Sequence, residues 1–197
     1  MLPAMTLDPT RTAVLALHWQ VNVIEPHGFF GGMLAAPVAA SGVVGRASAF
    51  HDAVRRLGVG VFFTRFTIPE GEGALVRNTG FMTAVAGAQE SFRPDAPGAA
   101  LVEAMTVGEG DMVVDNQRLS GLAATPLPDK LTERGIDATP ITVMGNPARS
   151  ICVAAERDGY DTIVVGRRNM GDRGLMLLGS VAARVVSGAA CDVVVVA

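Results

Sequence analysis

The chain alternates between short runs of aliphatic and β-branched residues and longer stretches whose apolar residues recur at helical spacing. The runs are Ala13 to Leu17, Val59 to Phe66, Asp111 to Val114, Pro140 to Met144, Asp161 to Gly166 and Asp192 to Val196, all of strand length. They are continuous rather than alternating, as expected of strands buried on both faces of a parallel sheet. Helices are predicted over about Val38 to Leu57, with Val43, Ala47, Phe50 and Val54 on one stripe, and over Phe81 to Ala88, Gly98 to Met105 and Pro126 to Arg134. Gly58 closes the first of these. Another starts at Asn146-Pro147, a cap residue followed by a first-turn proline, and a last one runs from Gly179 to about Ser187. Strands alternating with helices predict an α/β fold, a doubly wound three-layer (Rossmann-like) domain with a six-stranded parallel sheet. Segment 68–97 is the least patterned and reads as a lid, an arm or a partner contact.

Composition narrows this only a little. With 197 residues, 49% of them hydrophobic, and no internal repeat or linker, residues 1–197 are expected to form a single domain. A net charge of −3 gives no support for nucleic-acid binding. No apolar run reaches membrane-spanning length and no signal-like core follows a basic flank, so a cytoplasmic location away from membranes is expected. Cys152 and Cys191 are then expected to be reduced.

The stretch Gly166 to Ser180 joins a predicted strand to a predicted helix through a glycine-rich loop, a geometry that offers unpaired N–H groups to an anion. Gly166, Arg167, Arg168, Asn169, Gly179 and Ser180 are therefore candidate ligand-binding residues. The arginines either pair with phosphate oxygens or are solvated surface. The spacing resembles the Gly-x2-Gly-x9-Gly-Ser/Thr signature of the universal stress proteins, with Asn169 at the second glycine. The resemblance continues through GNPARSICVAAERDGYDTIVVGRR, MLLGSVAARVV and AACDVVVVA. It implies ATP or another nucleotide as a possible ligand.

A second resemblance covers the front of the chain. TAVLALHWQVNVIEPHG, LGVGVFFTRF and VVDNQRLSGLAATPLPDKLTERGID are similar to the isochorismatase-like, or cysteine hydrolase, family. That family's enzymes use an Asp after the first strand, a Lys after the third and a Cys at the start of the helix after the fourth. Here His18 stands at the Asp position and Asn116 at the Lys position. Cys152 lies near the nucleophile's place, seven residues after Gly145, which is not the family's usual spacing. His18, Asn116 and Cys152 are thus candidate catalytic residues of an altered triad. Cys152 falls in the second turn of its helix, on a stripe with Ala148, Ile151 and Ala155, so it is read first as a small core residue of low reactivity. Cys191 reads as packing. His18 is read either as a base for Cys152 or, preferably, as a hydrogen-bonded pocket histidine.

Together the two resemblances describe a hybrid, with residues 12–137 isochorismatase-like and residues 138–197 stress-protein-like, completing one sheet in the order 3-2-1-4-5-6. The leading functional expectation is a non-catalytic protein that binds a small anion or nucleotide. One alternative is a cysteine hydrolase acting on a small amide or vinyl ether through Cys152. Another is an assembly protein. A homodimer is expected, through the Val193–Val196 edge or segment 68–97. His27 and His51 have no metal-ligand spacing, so no metal site is expected.

Overall fold

The computed structural model describes residues 8–166 and 180–196. The chain forms two compact units, one ending at Pro140 and the other beginning at Ile141.

The first unit is built on three parallel strands, β1 (Ala13–Leu17), β2 (Gly60–Phe66) and β3 (Met112–Asn116), in the order β1-β2-β3. Leu17 aligns with Thr64, and Phe66 with Asn116, so the C-terminal ends of all three strands meet. Central β2 is apolar apart from Thr64 and Arg65, because both its faces are covered. Val61 and Phe63 pack with Ala16, Val102 and Met105 on one side, and Phe62 packs with Val114, Leu127 and Leu131 on the other. Both phenylalanines are fully buried, each stabilising the fold by about 1.5–3 kcal/mol.

Between β1 and β2 lie α1 (Val21–Ile24), α2 (Gly31–Ser41) and α3 (Val43–Arg56). The single helix expected from Val38 is two helices, because Gly42 adopts a left-handed conformation (φ 63°) that ends α2 and starts α3. The buried stripe of α3 is also rotated from the expected one. Val44, Ala47 and Val54 pack inward with His51, while Phe50 is 52% exposed. The His51 ring fills the core position by setting its edges against Trp19 and Phe63.

Segment 68–97 contributes to the core rather than forming an open arm. It contains α4 (Gly80–Gly87), capped by the Thr79 hydroxyl, and buries Ile68, Met82, Val85 and Phe92 against Phe66. The helix expected over Gly98 to Met105 is not formed. A short 3-10 turn at Pro97–Ala99 gives way to an isolated bridge between Leu101 and Gln20, which satisfies backbone groups a helix would otherwise have paired internally. After β3, α5 (Leu127–Thr132) covers the Phe62 face.

The second unit contains α6 (Pro147–Asp158), β4 (Thr162–Gly166), α7 (Ser180–Gly188) and β5 (Asp192–Val196), with β4 and β5 parallel. Asn146 caps α6 by accepting from the Arg149 N–H, and Gly159 ends it in the left-handed region. The core is formed by Ala148, Ala155, Ile163 and Val185.

The expected strand Pro140 to Met144 makes no ladder, and Ile141, Val143 and Met144 are exposed. β-branched residues favour a strand only where a partner edge is paired. Pro140 offers no N–H, and Gly145 (φ 130°) turns the chain immediately afterwards. Among the described residues, five strands therefore form a three-stranded and a two-stranded sheet, not the six-stranded sheet of order 3-2-1-4-5-6.

Candidate active site

The C-terminal ends of β1, β2 and β3 hold the polar centre of the first unit. His18 follows β1 with φ 56°, and its N–H donates to the Thr64 carbonyl of β2 at 3.0 Å. A left-handed histidine costs of order 1 kcal/mol or more, and such outliers concentrate at functional sites. The turn carries the ring over the end of β2, where His18 Nε2 lies 3.1 Å from Oδ1 of Asn116, the last residue of β3. Asn116 is fully buried, and its Nδ2 donates to the Arg118 carbonyl. Phe66 supports the ring edge-on, with centroids 6.4 Å apart.

Gln20 fixes the surrounding backbone. Its buried amide donates to the carbonyls of Phe66 and Ala99, both at 3.0 Å, and accepts from the Phe66 N–H at 2.6 Å. Phe29, Phe30, Phe81 and Phe92 continue the aromatic surface from Phe66, with Phe30 and Phe81 stacked. Gly121 lies directly over Thr64, where an added Cβ would stand 2.6 Å from the Thr64 methyl carbon. The Thr64 and Thr67 hydroxyls are buried without a partner among the described residues, an uncompensated polar cost at this strand end. The one local sequence signal available for this clasp is the Gln20 amide standing between apolar Trp19 and Val21. The assembly of phenylalanines had no such signal, since Phe66, Phe81 and Phe92 are far apart in sequence.

Burial pushes the His18 pKa below its ordinary value, with the Asn116 hydrogen bond opposing part of the shift. His51 is also lowered, chiefly by burial and then by Arg55, against the opposing carboxylates of Asp111 and Asp52. Unfolded histidines titrate near 6.5, so below about that pH the unfolded chain binds more protons than the folded one. The stability associated with neutral His18 and His51 is therefore complete above about pH 6.5 and is lost as pH falls toward their folded values. The urea midpoint of the first unit, read from the fluorescence of Trp19, is expected to be lower at about pH 5.5 than at about pH 8. Equal midpoints would rule this out.

In the second unit, Cys152 is half-buried on α6, with Sγ 4.0 Å from the Val185 carbonyl of α7, and it packs in the same cluster as Cys191. Gly166 ends β4 and Ser180 begins α7. Arg167, Arg168, Asn169 and Gly179 lie outside the described residues. An apolar cleft of 440 Å³ opens between segment 141–145, α6 and the start of β4, lined by Ile141, Val143, Ile151, Ala154, Tyr160 and Ile163. Its lining includes Ser150, Tyr160 and Thr162 but, among the described residues, no carboxylate, imidazole or thiol.

In open parallel α/β sheets ligands bind outside the carboxyl ends of the strands, and it is at these ends that His18 and Asn116 meet. The isochorismatase domain profile matches residues 12–167, and the chain belongs to the isochorismatase family. Among solved structures, a cysteine hydrolase from Pseudomonas syringae pv. phaseolicola 1448A shares 20% identity at a TM-score of 0.58, over 96% of this chain and 90% of that one. An isochorismatase family protein from Desulfovibrio vulgaris subsp. vulgaris str. Hildenborough shares 20% identity at 0.52, over 78% and 79%. A pyrazinamidase of Pyrococcus horikoshii, solved with zinc, shares 14% identity at 0.50, over 94% and 99%. These likenesses establish the fold. No curated protein matches the sequence. No group of three His, Cys, Asp or Glu side chains able to hold a metal ion occurs among the described residues.

The family match corrects two expectations. It runs through residue 167, so residues 138–167 of the segment assigned to a stress-protein half belong to the isochorismatase domain, and nothing in the comparisons supports a stress-protein or nucleotide-binding identity. A non-catalytic anion or nucleotide binder is accordingly set aside in favour of the hydrolase alternative. Among the described residues, no single helix is long and apolar enough to cross a membrane.

Proposed function

We propose that this chain is a hydrolase of small amides, with His18 as general base, Asn116 as its anchor and Cys152 as nucleophile. The observation that carries the proposal is the 3.1 Å pairing of His18 with Asn116 at the positions where the family's Asp and Lys are expected. The two replacements are chemically consistent with each other. A carboxylate base at this strand end requires a neighbouring cation, whereas an imidazole kept neutral by burial requires only an orienting hydrogen bond.

In the reaction, the Cys152 thiol loses its proton to a general base as the C–S bond forms at the amide carbonyl carbon. The C–N bond then breaks, and the same proton leaves with the departing ammonia or amine. Water attacks the thioester, releasing the acid and restoring the thiol. The Pyrococcus horikoshii neighbour is named for an amide substrate, which favours an amide over a vinyl ether here.

The test is ammonia release from a panel of small aliphatic and aromatic primary amides, with enol ethers as a comparison, before and after iodoacetamide treatment. Turnover of at least one amide, lost in step with alkylation of Cys152 and retained in Cys191→Ser, is expected. No turnover of any amide, or turnover unaffected by a fully alkylated Cys152, would end the proposal.

A further inference from the structure

The Asn116 amide has only one orientation compatible with its neighbours. Nδ2 donates to the Arg118 carbonyl, and the flipped amide would set two acceptor oxygens against each other. Oδ1 therefore faces His18 Nε2, and an oxygen acceptor requires a proton on that nitrogen. In the neutral ring, the proton on Nε2 leaves Nδ1 with its lone pair. Among the described residues, Nδ1 makes no hydrogen bond. The left-handed backbone at His18, held by the Thr64 carbonyl, keeps the ring in this pose.

We infer that Asn116 is a positioning residue that locks His18 as the Nε2–H tautomer and so makes Nδ1 the atom that accepts the proton in catalysis. The inference rests on the hydrolase reading for its catalytic half, while the tautomer follows from the hydrogen bonds alone. An amide plays the same orienting part beside the imidazole of some thiol hydrolases. A substitution at Asn116 therefore acts through His18 and changes turnover rather than substrate affinity.

The experiment is ¹⁵N NMR of the histidine rings in the full chain at a pH where His18 is neutral, with its signals assigned by their loss in His18→Ala. The expected spectrum places His18 wholly in the Nε2–H form, with that proton protected from solvent exchange. In Asn116→Ala the exchange is expected to accelerate at least about tenfold and kcat to fall about 100-fold with KM little changed, as for a misplaced catalytic group. Asn116→Asp adds a second arm that keeps an acceptor oxygen. Its carboxylate raises the His18 pKa, so both ring nitrogens stay protonated to higher pH and the activity profile moves with them. An Nδ1–H tautomer in the native protein overturns the inference, as does unchanged exchange in Asn116→Ala. A locked Nε2–H form in a protein that hydrolyses no amide overturns the hydrolase reading and leaves the tautomer assignment standing.

Discussion

Asp111→Ala is expected to lower the unfolding free energy of the first unit by about 3 kcal/mol. The Asp111 side chain is only 1% exposed and links three parts of the unit. Oδ2 accepts from Arg55 Nε and NH2 of α3, at 2.9 and 2.6 Å, and from the Gly108 N–H at 2.7 Å, while Oδ1 accepts from the Val61 N–H of β2 at 3.2 Å. Alanine leaves two backbone donors unpaired and strips Arg55 of its buried partner, although Asp52 and the Thr106 carbonyl still hold that guanidinium from outside. Burial alone would raise the Asp111 pKa, but the bonds from Arg55, Gly108 and Val61 outweigh it and hold the carboxyl below its usual range. Its contribution is therefore present above the unfolded carboxyl value of about 3.9 and is lost as pH falls through the lower folded value. Urea unfolding followed by Trp19, the single tryptophan of the chain, measures the loss. A change under about 1 kcal/mol would mean that the pair is solvated rather than structural.

His18→Ala is expected to reduce kcat/KM on a responsive amide by roughly 10²–10⁴-fold, the usual cost of removing a general base. The fold should survive, because the ring packs only edge-on against Phe66 and its backbone bond to Thr64 does not need the side chain. His27→Ala, at an exposed position, is the control and should retain full activity. A loss of less than about twofold in His18→Ala would remove the imidazole from the mechanism.

His18 is expected from the sequence to be a hydrogen-bonded pocket histidine or a base, and the structure supplies its hydrogen-bond partner, Asn116. Taken singly each replacement looks like a loss, and only the 3.1 Å contact shows that the two residues form a unit. Residues 18 and 116 lie 98 positions apart, and no local pattern reports such a juxtaposition. Phe50 and His51 illustrate the same limit within one helix. Helical spacing placed Phe50 inside, yet a rotation of α3 by one residue buries His51 among aromatic edges.

The sequence by itself determined the elements whose causes are local. Strands β1 to β5 follow from apolar runs of strand length, the start of α6 from Asn146 and Pro147, and the end of α3 from the glycine at 58. The family was legible in its front two thirds for the same reason, because its motifs are contiguous. Tertiary structure alone decided what depends on a distant partner. Pro140 to Met144 has strand composition but makes no ladder, and Gly98 to Met105 has helical spacing but pairs Leu101 with Gln20 instead. It also decided that a strained histidine and a buried asparagine meet over the end of β2. Backbone propensity is a property of a few neighbouring residues, whereas pairing, burial and hydrogen-bond geometry belong to chain segments that only folding brings together.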